Sequence, residues 1–166
     1  SPYGRRMDIE SPANGWRPRP HQIPLWQHFK GADGRTFDGT AKRAIEIAHR
    51  RWGKDDVALH LSGQASLARK GTYWHMLPEY EQARKAIWTA VNPHTGIRRI
   101  DEAFPQSWRA NTDDRQMFIR FKWGSTWQVI GSDNYKALVG TPPVGIVASE
   151  WAKAHPAAWA YLAPIL

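Results

Sequence analysis

Cysteine is absent from this chain of 166 residues, so neither disulfide bonds nor cysteine-ligated zinc sites are available to it. No apolar run approaches the roughly 20 residues that cross a bilayer as a helix, and no membrane partner is expected. The first residues, Ser1 to Arg6, contain no apolar stretch typical of a secretion signal. These absences favour a folded domain in a reducing cytoplasm.

Basic residues exceed acidic ones, and the formal net charge is +8. That excess suits a polyanionic partner such as nucleic acid, and a basic surface that serves solubility alone is the plain alternative. The length is enough for one domain with a substantial core. Residues 1–16 are expected to form an extended arm, with residues 1–6 as an addition ahead of Met7, and residues 17–166 the domain itself.

The stretch from Ala48 to Asp56 has the layout of a phosphate-binding loop. An apolar run at 44–48 predicts a strand before it, and apolar residues three or four apart predict a helix after it. Backbone N–H groups of such a turn and helix start converge on an anion, and Lys54 adds a positive charge there. The plain alternative is an ordinary helix start whose acidic residues suit the helix dipole. The residues expected to contact a nucleotide are His49, Arg50, Arg51, Trp52, Gly53, Lys54, Asp55 and Asp56.

A carboxylate follows a second apolar segment, 144–148, which suits a central parallel strand buried on both faces. The segment continues into Ser149 and Glu150. Ligands of open α/β sheets bind at the edge where the strands end. A nucleoside triphosphatase needs a carboxylate there to orient the attacking water, which is the role we assign to Glu150.

A glutamine ahead of the first strand is a candidate adenine contact, because its amide both donates and accepts hydrogen bonds. Gln22, just before a short apolar helix that ends near Phe29, is the first choice, and Gln27 is the second. A solvated side chain is the alternative for each.

The remaining patterns predict strands alternating with helices, which indicates a parallel sheet covered by helices. A hairpin is predicted where two alternating segments flank Gly124 and Ser125. The predicted elements are a loop at 30–42, a helix ending near Arg69, a strand at 72–77, a helix at 79–91, a short helix at 97–104, the hairpin strands at 117–123 and 126–130, a helical turn at 135–138 and a helix after His155-Pro156.

Together these pieces resemble the N-terminal ATPase domain of phage terminase large subunits, the motors that package viral DNA. The resemblance extends from Arg17 to Leu166 and rests on the order and spacing of several motifs. They are R-P-R-P-H-Q-I-P-L-W at 17–26, the loop at 48–56, L-P-E-Y-E-Q at 77–82, G-S-D-N-Y at 131–135 with L-V-G at 138–140, and G-I-V-A-S-E-W at 145–151.

The resemblance implies an α/β P-loop NTPase of the additional-strand, catalytic-glutamate type. Its central sheet would be mainly parallel and flanked by helices, with a β-hairpin insertion. Lys54 would hold the β- and γ-phosphates of ATP, Arg50 would be a sensor or finger acting within the chain, Glu150 would activate water and Gln22 would contact adenine.

Two positions that normally serve Mg²⁺ depart from the family pattern. Asp55 stands where the Walker A loop usually has Ser or Thr, and Ser149 stands where the Walker B strand usually has Asp. Because Mg²⁺ accepts hard oxygen ligands from either side of its site, we interpret Asp55 and Ser149 as a compensating exchange. The alternative is a weak or inactive ATPase in which Asp55 only caps the helix.

The resemblance also implies partners and a setting. They are double-stranded DNA, further copies in a ring on the capsid portal, and the small terminase subunit, in the cytoplasm of an infected host. Family members continue into a coupling motif and a nuclease domain that are not visible here, so no nuclease activity is expected. An arginine acting on a neighbour's ATP would come from Arg98, Arg99, Arg109 or Arg115.

Two other functions stay open from the sequence. One is a different P-loop helicase or translocase, and the other is a basic DNA-binding domain that is not catalytic.

Overall fold

The computed structural model describes residues 17, 19–28, 43–47, 54–131, 143–149 and 158–162. Within these residues, no helix has the length and apolar character needed to cross a membrane. The expected arm at 1–16, the loop at 30–42 and the helical turn at 135–138 lie outside them.

Seven strands form a single sheet. In chain order they are β1 Arg43–Ile47, β2 Thr72–Leu77, β3 Arg109–Asp113, β4 Phe118–Phe121, β5 Thr126–Gly131, β6 Gly145–Ser149 and β7 Ala158–Leu162. Across the sheet their order is β1, β7, β6, β2, β5, β4 and β3. β2 is therefore the middle strand, and the first and last strands of the chain are neighbours.

The sheet is mixed, which differs from the mainly parallel sheet expected from the sequence. β2 is parallel to both of its neighbours, β6 and β5. β7 is antiparallel to β1 and to β6, so β1 points the same way as β6. β4 is antiparallel to β5 and to β3. The strands β1, β6, β2 and β5 consequently end at one edge of the sheet, which we call the carboxyl edge.

Within the described residues, four α-helical segments accompany the sheet, besides the 3₁₀ turns Pro20–Gln22 and Gln106–Trp108. They are α1 Ile23–His28, α2 Lys54–Ala68, α3 Tyr80–Ala83, which continues as a π-helix at Arg84–Trp88, and α4 Arg99–Ala103. The π-helical turn closes at Thr89, whose backbone N–H donates to the carbonyl oxygen of Arg84 at 2.8 Å. Hydrogen bonds five residues apart are the mark of a π-helix, so the segment widens just before it ends.

Helix α2 is buried along its length, from Val57 to Ser66, because it packs against β2 and β6 on one side and α4 on another. A helix enclosed in this way carries few exposed polar groups. Its buried hydroxyls bond within the helix, as in the 2.9 Å bond from Ser62 Oγ to the Ala58 carbonyl. Burial also lowers the pKa of His60 to about 3, so this imidazole is neutral at neutral pH.

The larger hydrophobic core lies between the helices and the face of the sheet against which α2 packs. Trp127 on β5 is fully buried there, stacked on Trp88 with ring centroids 6.3 Å apart and tilted on Phe104 at 4.8 Å. A smaller cluster of Trp74, Met76 and Ile130 lies on the opposite face. β2 thus contributes to both clusters, as expected for a central strand buried on both faces.

Several predicted elements are confirmed. The strand at 72–77 has the predicted bounds, and the hairpin is present as β4 and β5 with antiparallel pairing. Gly124 has φ +95° in its turn, a conformation that glycine adopts without strain. The short helix predicted at 97–104 is α4.

Other predictions were wrong or incomplete. The helix expected after His155-Pro156 is instead the strand β7, which pairs with β1 and β6. The helix expected over 79–91 ends at Trp88. The edge strand β3 was not predicted, and it extends the hairpin into a three-stranded antiparallel unit.

Candidate functional site

The strands that precede the two segments expected to bind ATP, β1 and β6, end at the carboxyl edge. β7 fixes their relative height, because it pairs with β1 on one side and with β6 on the other. Trp159 is opposite Glu46 of β1 and also opposite Ser149 of β6. Ser149 is therefore level with Glu46, one residue before the end of β1. Two strand spacings, about 9–10 Å, separate them.

The segment after β1 leads into the start of α2. Ile47 is the last residue of β1, and α2 begins at Lys54. Residues 48–53, which include His49, Arg50, Arg51, Trp52 and Gly53, lie outside the described residues, as do the side chains of Lys54 and Asp55. What the structure describes is therefore a strand and a helix in the predicted places on either side of the loop.

Glu150 comes directly after β6, which ends at Ser149 on the carboxyl edge. Glu150 itself and the side chain of Ser149 lie outside the described residues. Because β1 and β6 point the same way and are nearly level, the backbone enters both segments from the same edge of the sheet. One triphosphate site shared by Lys54 and Glu150 requires that the strands leading to them end at the same edge, and β1 and β6 do so.

Asp56, expected to contact the nucleotide, is engaged within the chain. Its Oδ2 accepts a close hydrogen bond from Nη1 of Arg99 on α4. The Asp56 and Arg99 side chains are 16% and 27% exposed, so the pair is partly shielded from water. The pair ties α4 to the first turn of α2, where an acidic residue also suits the helix dipole. For Asp56 the structure favours this architectural role.

Gln22 lies in a 3₁₀ turn, Pro20–Gln22, directly before α1. Its side chain is buried, with 1% exposed, and its Oε1 accepts the backbone N–H of Arg19 at 2.9 Å. α1 is in contact with β1, so the turn is close to the strand that leads into the loop. Its contact with adenine stays a prediction, and it would have to use the amide group of a side chain already bonded to Arg19. Gln27 is exposed.

Two of the four arginines considered for a neighbour's site are held within this chain. Arg109 is 3% exposed, and its guanidinium donates to the carbonyl oxygens of Phe104 at 2.8 Å and Ile100 at 3.1 Å. Its third bond, 2.8 Å long, goes to Oδ1 of Asp101. Arg99 is bound to Asp56. Both guanidinium groups are therefore engaged by partners within the chain.

Arg98 and Arg115 differ in their surroundings. Arg98 donates twice to the Trp88 carbonyl oxygen, at 3.2 and 3.0 Å, and its guanidinium lies 5.5 Å from the centroid of the Trp88 ring. Arg115 is exposed in the turn between β3 and β4. Its guanidinium makes no hydrogen bond or ion pair within the described part of the chain. Arg115 is accordingly the best placed of the four for contact with a neighbouring molecule.

The residues predicted to bind Mg²⁺, Asp55 and Ser149, have side chains outside the described residues, but their donor chemistry is known. In the part of the chain that the structure describes, His, Asp and Glu form no group of three that could hold a metal ion. Asp55 is in the first turn of α2 and Ser149 ends β6, and together they offer a carboxylate and a hydroxyl. Both are hard oxygen donors of the kind that Mg²⁺ accepts alongside water and phosphate.

Sequence reasoning missed how α4 is held at this site. The Asp56–Arg99 pair joins residues 43 positions apart, and Arg109 reaches Asp101 from the following strand. The only available signal was the clustering of Arg and Asp in 98–115. Comparisons of this chain with protein-family models, with curated proteins and with solved structures found no match.

Proposed function

We propose that this chain is an ATPase motor domain that moves double-stranded viral DNA into a procapsid. The observation that supports this most is the position of β1 and β6, which end nearly level at one edge. Between β1 and β6, where the family resemblance implies an additional strand, the sheet has β7. Its antiparallel direction is a departure from the family's mainly parallel sheet.

In this proposal the loop at 48–53 and the start of α2 bind the triphosphate. Backbone N–H groups of the loop and the helix N-terminus would receive the phosphates, where the helix dipole favours negative charge. The Lys54 ammonium would hold the β- and γ-phosphates, and Arg50 would contact the same group. His49, Arg51, Trp52 and Gly53 would line the loop.

Hydrolysis needs an oriented water and compensation of charge on the γ-phosphate. Glu150 would accept a hydrogen bond from the attacking water and hold it in line with the bond that breaks. Asp55 and Ser149 would hold Mg²⁺, which offsets the negative charge of the phosphate oxygens. Arg115 of a neighbouring copy would add a further positive charge, which can contribute roughly 10³–10⁵ in rate. A ring on the portal, with the small terminase subunit as partner, would supply that neighbour.

The test is ATP turnover with Mg²⁺ by the wild type and by Glu150→Ala. We expect the substitution to lower turnover by about 10²–10⁴, the usual contribution of a positioned acid or base. Glu81→Ala is a matched control, because Glu81 is an exposed glutamate in α3. Since a ring supplies the arginine in this proposal, the assay is repeated at high protein concentration. Equal turnover by the wild type and Glu150→Ala would contradict the assignment.

Two outcomes would favour the other functions. Unwinding of a forked duplex would indicate a helicase, because a packaging motor moves DNA without separating its strands. Unmeasurable ATP binding, unchanged by Lys54→Ala, would indicate a DNA-binding domain without catalysis.

A further inference from the structure

Four exposed basic residues meet at the edge of the sheet opposite the carboxyl edge. Arg69 and Lys70 follow the last turn of α2, Arg120 is on β4, and Lys122 is in the turn between β4 and β5. We call this set the basic corner. β2 begins there and is six residues long, so the corner and the carboxyl edge are about 20 Å apart.

Hydrogen bonds hold the two halves of the basic corner together. The Thr126 N–H donates to the Gly71 carbonyl oxygen at 3.0 Å, and the Gly71 N–H donates to Ser125 Oγ at 3.2 Å. Ser125 is fully buried, and its hydroxyl in turn donates to the Ser66 carbonyl oxygen at 2.7 Å. The end of α2 and the β4–β5 turn are thereby fixed against each other.

The charged groups are also close. A Cβ built on Gly124 would lie 2.9 Å from Nζ of Lys70, so the Lys70 ammonium rests against the turn that contains Lys122. Arg120 is paired with Thr126, the residue bonded to Gly71. Lys70 and the turn that holds Lys122 therefore place two positive charges close together, with Arg69 and Arg120 on the adjoining backbone.

Within the described segments that build the corner, no acidic residue offsets these charges. The segments 57–77 and 115–131, which build the corner, contain neither Asp nor Glu. Within the described part of the chain, the ion pairs join Arg98, Arg99 and Arg109 to Asp114, Asp56 and Asp101. None of them includes a residue of the corner. Unpaired surface cations in such a group attract a polyanion.

The nearby aromatic rings are already stacked within the protein. Trp123 is parallel to Phe121, with centroids 5.0 Å apart, and meets Trp108 edge to face at 5.5 Å. The Arg120 guanidinium lies 5.9 Å from the centroid of the Phe118 ring. Binding of single strands relies on aromatic faces that accept bases, whereas binding of a duplex backbone needs cations alone. The corner fits a duplex.

We infer that the basic corner binds the phosphate backbone of double-stranded DNA. The large exposed apolar residues of the described chain, Ile23, Val91 and Ile97, lie on other segments, so the corner lacks the apolar anchors of a membrane surface. The inference rests on the proposed function only for the choice of duplex DNA as the partner. It assigns DNA and ATP to opposite edges of one sheet.

The experiment measures binding of a labelled duplex without nucleotide, between about 50 and 200 mM salt. Lys70→Ala/Lys122→Ala is compared with Arg17→Ala/Lys85→Ala, which removes two exposed cations elsewhere. We expect the corner variant to reduce the slope of log K against log salt by about 1.8, and affinity at low salt about tenfold or more. The control variant should keep the wild-type slope.

Three results would overturn the inference. They are equal losses in the two variants, no duplex binding by the wild type, and binding of phosphatidylserine vesicles in place of the duplex. ATP turnover is measured separately on the wild type and the corner variant. ATP turnover without duplex binding would contradict the inference about the basic corner and support the proposed ATPase. Duplex binding that depends on the corner, without ATP turnover, would support the inference and contradict the proposed ATPase.

Discussion

Arg109 shows how a charged residue in this chain serves the fold. Burial lowers the pKa of its guanidinium, and the hydrogen bond and charge of Asp101 oppose that shift. Its four hydrogen bonds join β3, on which it lies, to Ile100 and Asp101 of α4 and to the Phe104 backbone, the fourth going to Thr112 of β3 itself. From the sequence Arg109 was a candidate for acting on a neighbour, because a charge is ordinarily exposed. Its contacts were not visible in the spacing.

Replacement of Arg109 by methionine tests this structural role. Arg109→Met would remove the guanidinium that donates to the Asp101 carboxylate and to the Phe104 carbonyl oxygen, while the Ile100 carbonyl oxygen would keep the Phe104 N–H as a donor. We expect a loss of about 3–5 kcal/mol in the free energy of unfolding, measured with urea. Arg120→Met is the control, because Arg120 is exposed and should change stability by about 0.5 kcal/mol at most. Similar losses in both variants would show that Arg109 is not the anchor described.

At the scale of elements, the sequence predicted correctly a strand whose bounds depend on neighbouring residues in the chain. β2 was found with its bounds because Gly71 precedes it, Pro78 follows it and strand-favouring residues lie between. β7 was mistaken for a helix because its alanines favour helices, while its strand form depends on pairing with β1 and β6. β3 has no clear alternation and is a strand because it pairs with β4. Pairing between segments that are distant in the chain cannot be predicted from the local pattern of apolar and polar residues.

Gly71, which precedes β2, allows the backbone there to lie close to Val144, which precedes β6. A Cβ at Gly71 would lie 2.6 Å from Cγ2 of Val144, just before β6. We therefore expect Gly71→Ala to destabilise the protein by about 1–3 kcal/mol through overpacking. Unfolding is measured for the wild type, both single variants and the double variant with Val144→Ala. The loss in free energy of unfolding of Gly71→Ala/Val144→Ala should be smaller than the sum of the losses of the two single variants.

Gly96→Ala is the matched control for that cycle. Gly96 has φ +73° and open space around it, so alanine there costs backbone strain alone, about 1–2 kcal/mol. Val144→Ala should not relieve that cost. Additive losses for Gly71→Ala and Val144→Ala would show that the two residues do not collide.

At the scale of the whole molecule, individual strands could be predicted from the sequence, but their order in the sheet is known only from the structure. A strand ending near residue 48 and a strand ending near residue 149 could be predicted from apolar runs. Their adjacency across β7 could not, because strand order depends on contacts between distant segments. The sequence also predicted a helix after the loop, which is confirmed as α2. The roles of Lys54, Glu150 and the loop between stay predictions.

The two proposed sites divide the molecule between opposite edges of the sheet. ATP would bind where β1 and β6 end, and DNA where β2 and β5 begin. β2 connects both edges and is buried on both faces, so a shift at one edge can be carried to the other by a rigid element. A motor requires that kind of coupling between hydrolysis and DNA.

Equilibrium binding of Mg²⁺–ATP, measured beside turnover in Lys54→Ala and Glu150→Gln, tests the shared triphosphate site most directly. We expect Lys54→Ala to weaken binding about tenfold to a hundredfold, because it removes a charged hydrogen-bond donor from the phosphates. Glu150→Gln should bind ATP within about threefold of the wild type and yet lose turnover by about 10²–10⁴, because its role is confined to the attacking water. Wild-type binding by Lys54→Ala, or undiminished turnover by Glu150→Gln, would contradict a single site between the two residues.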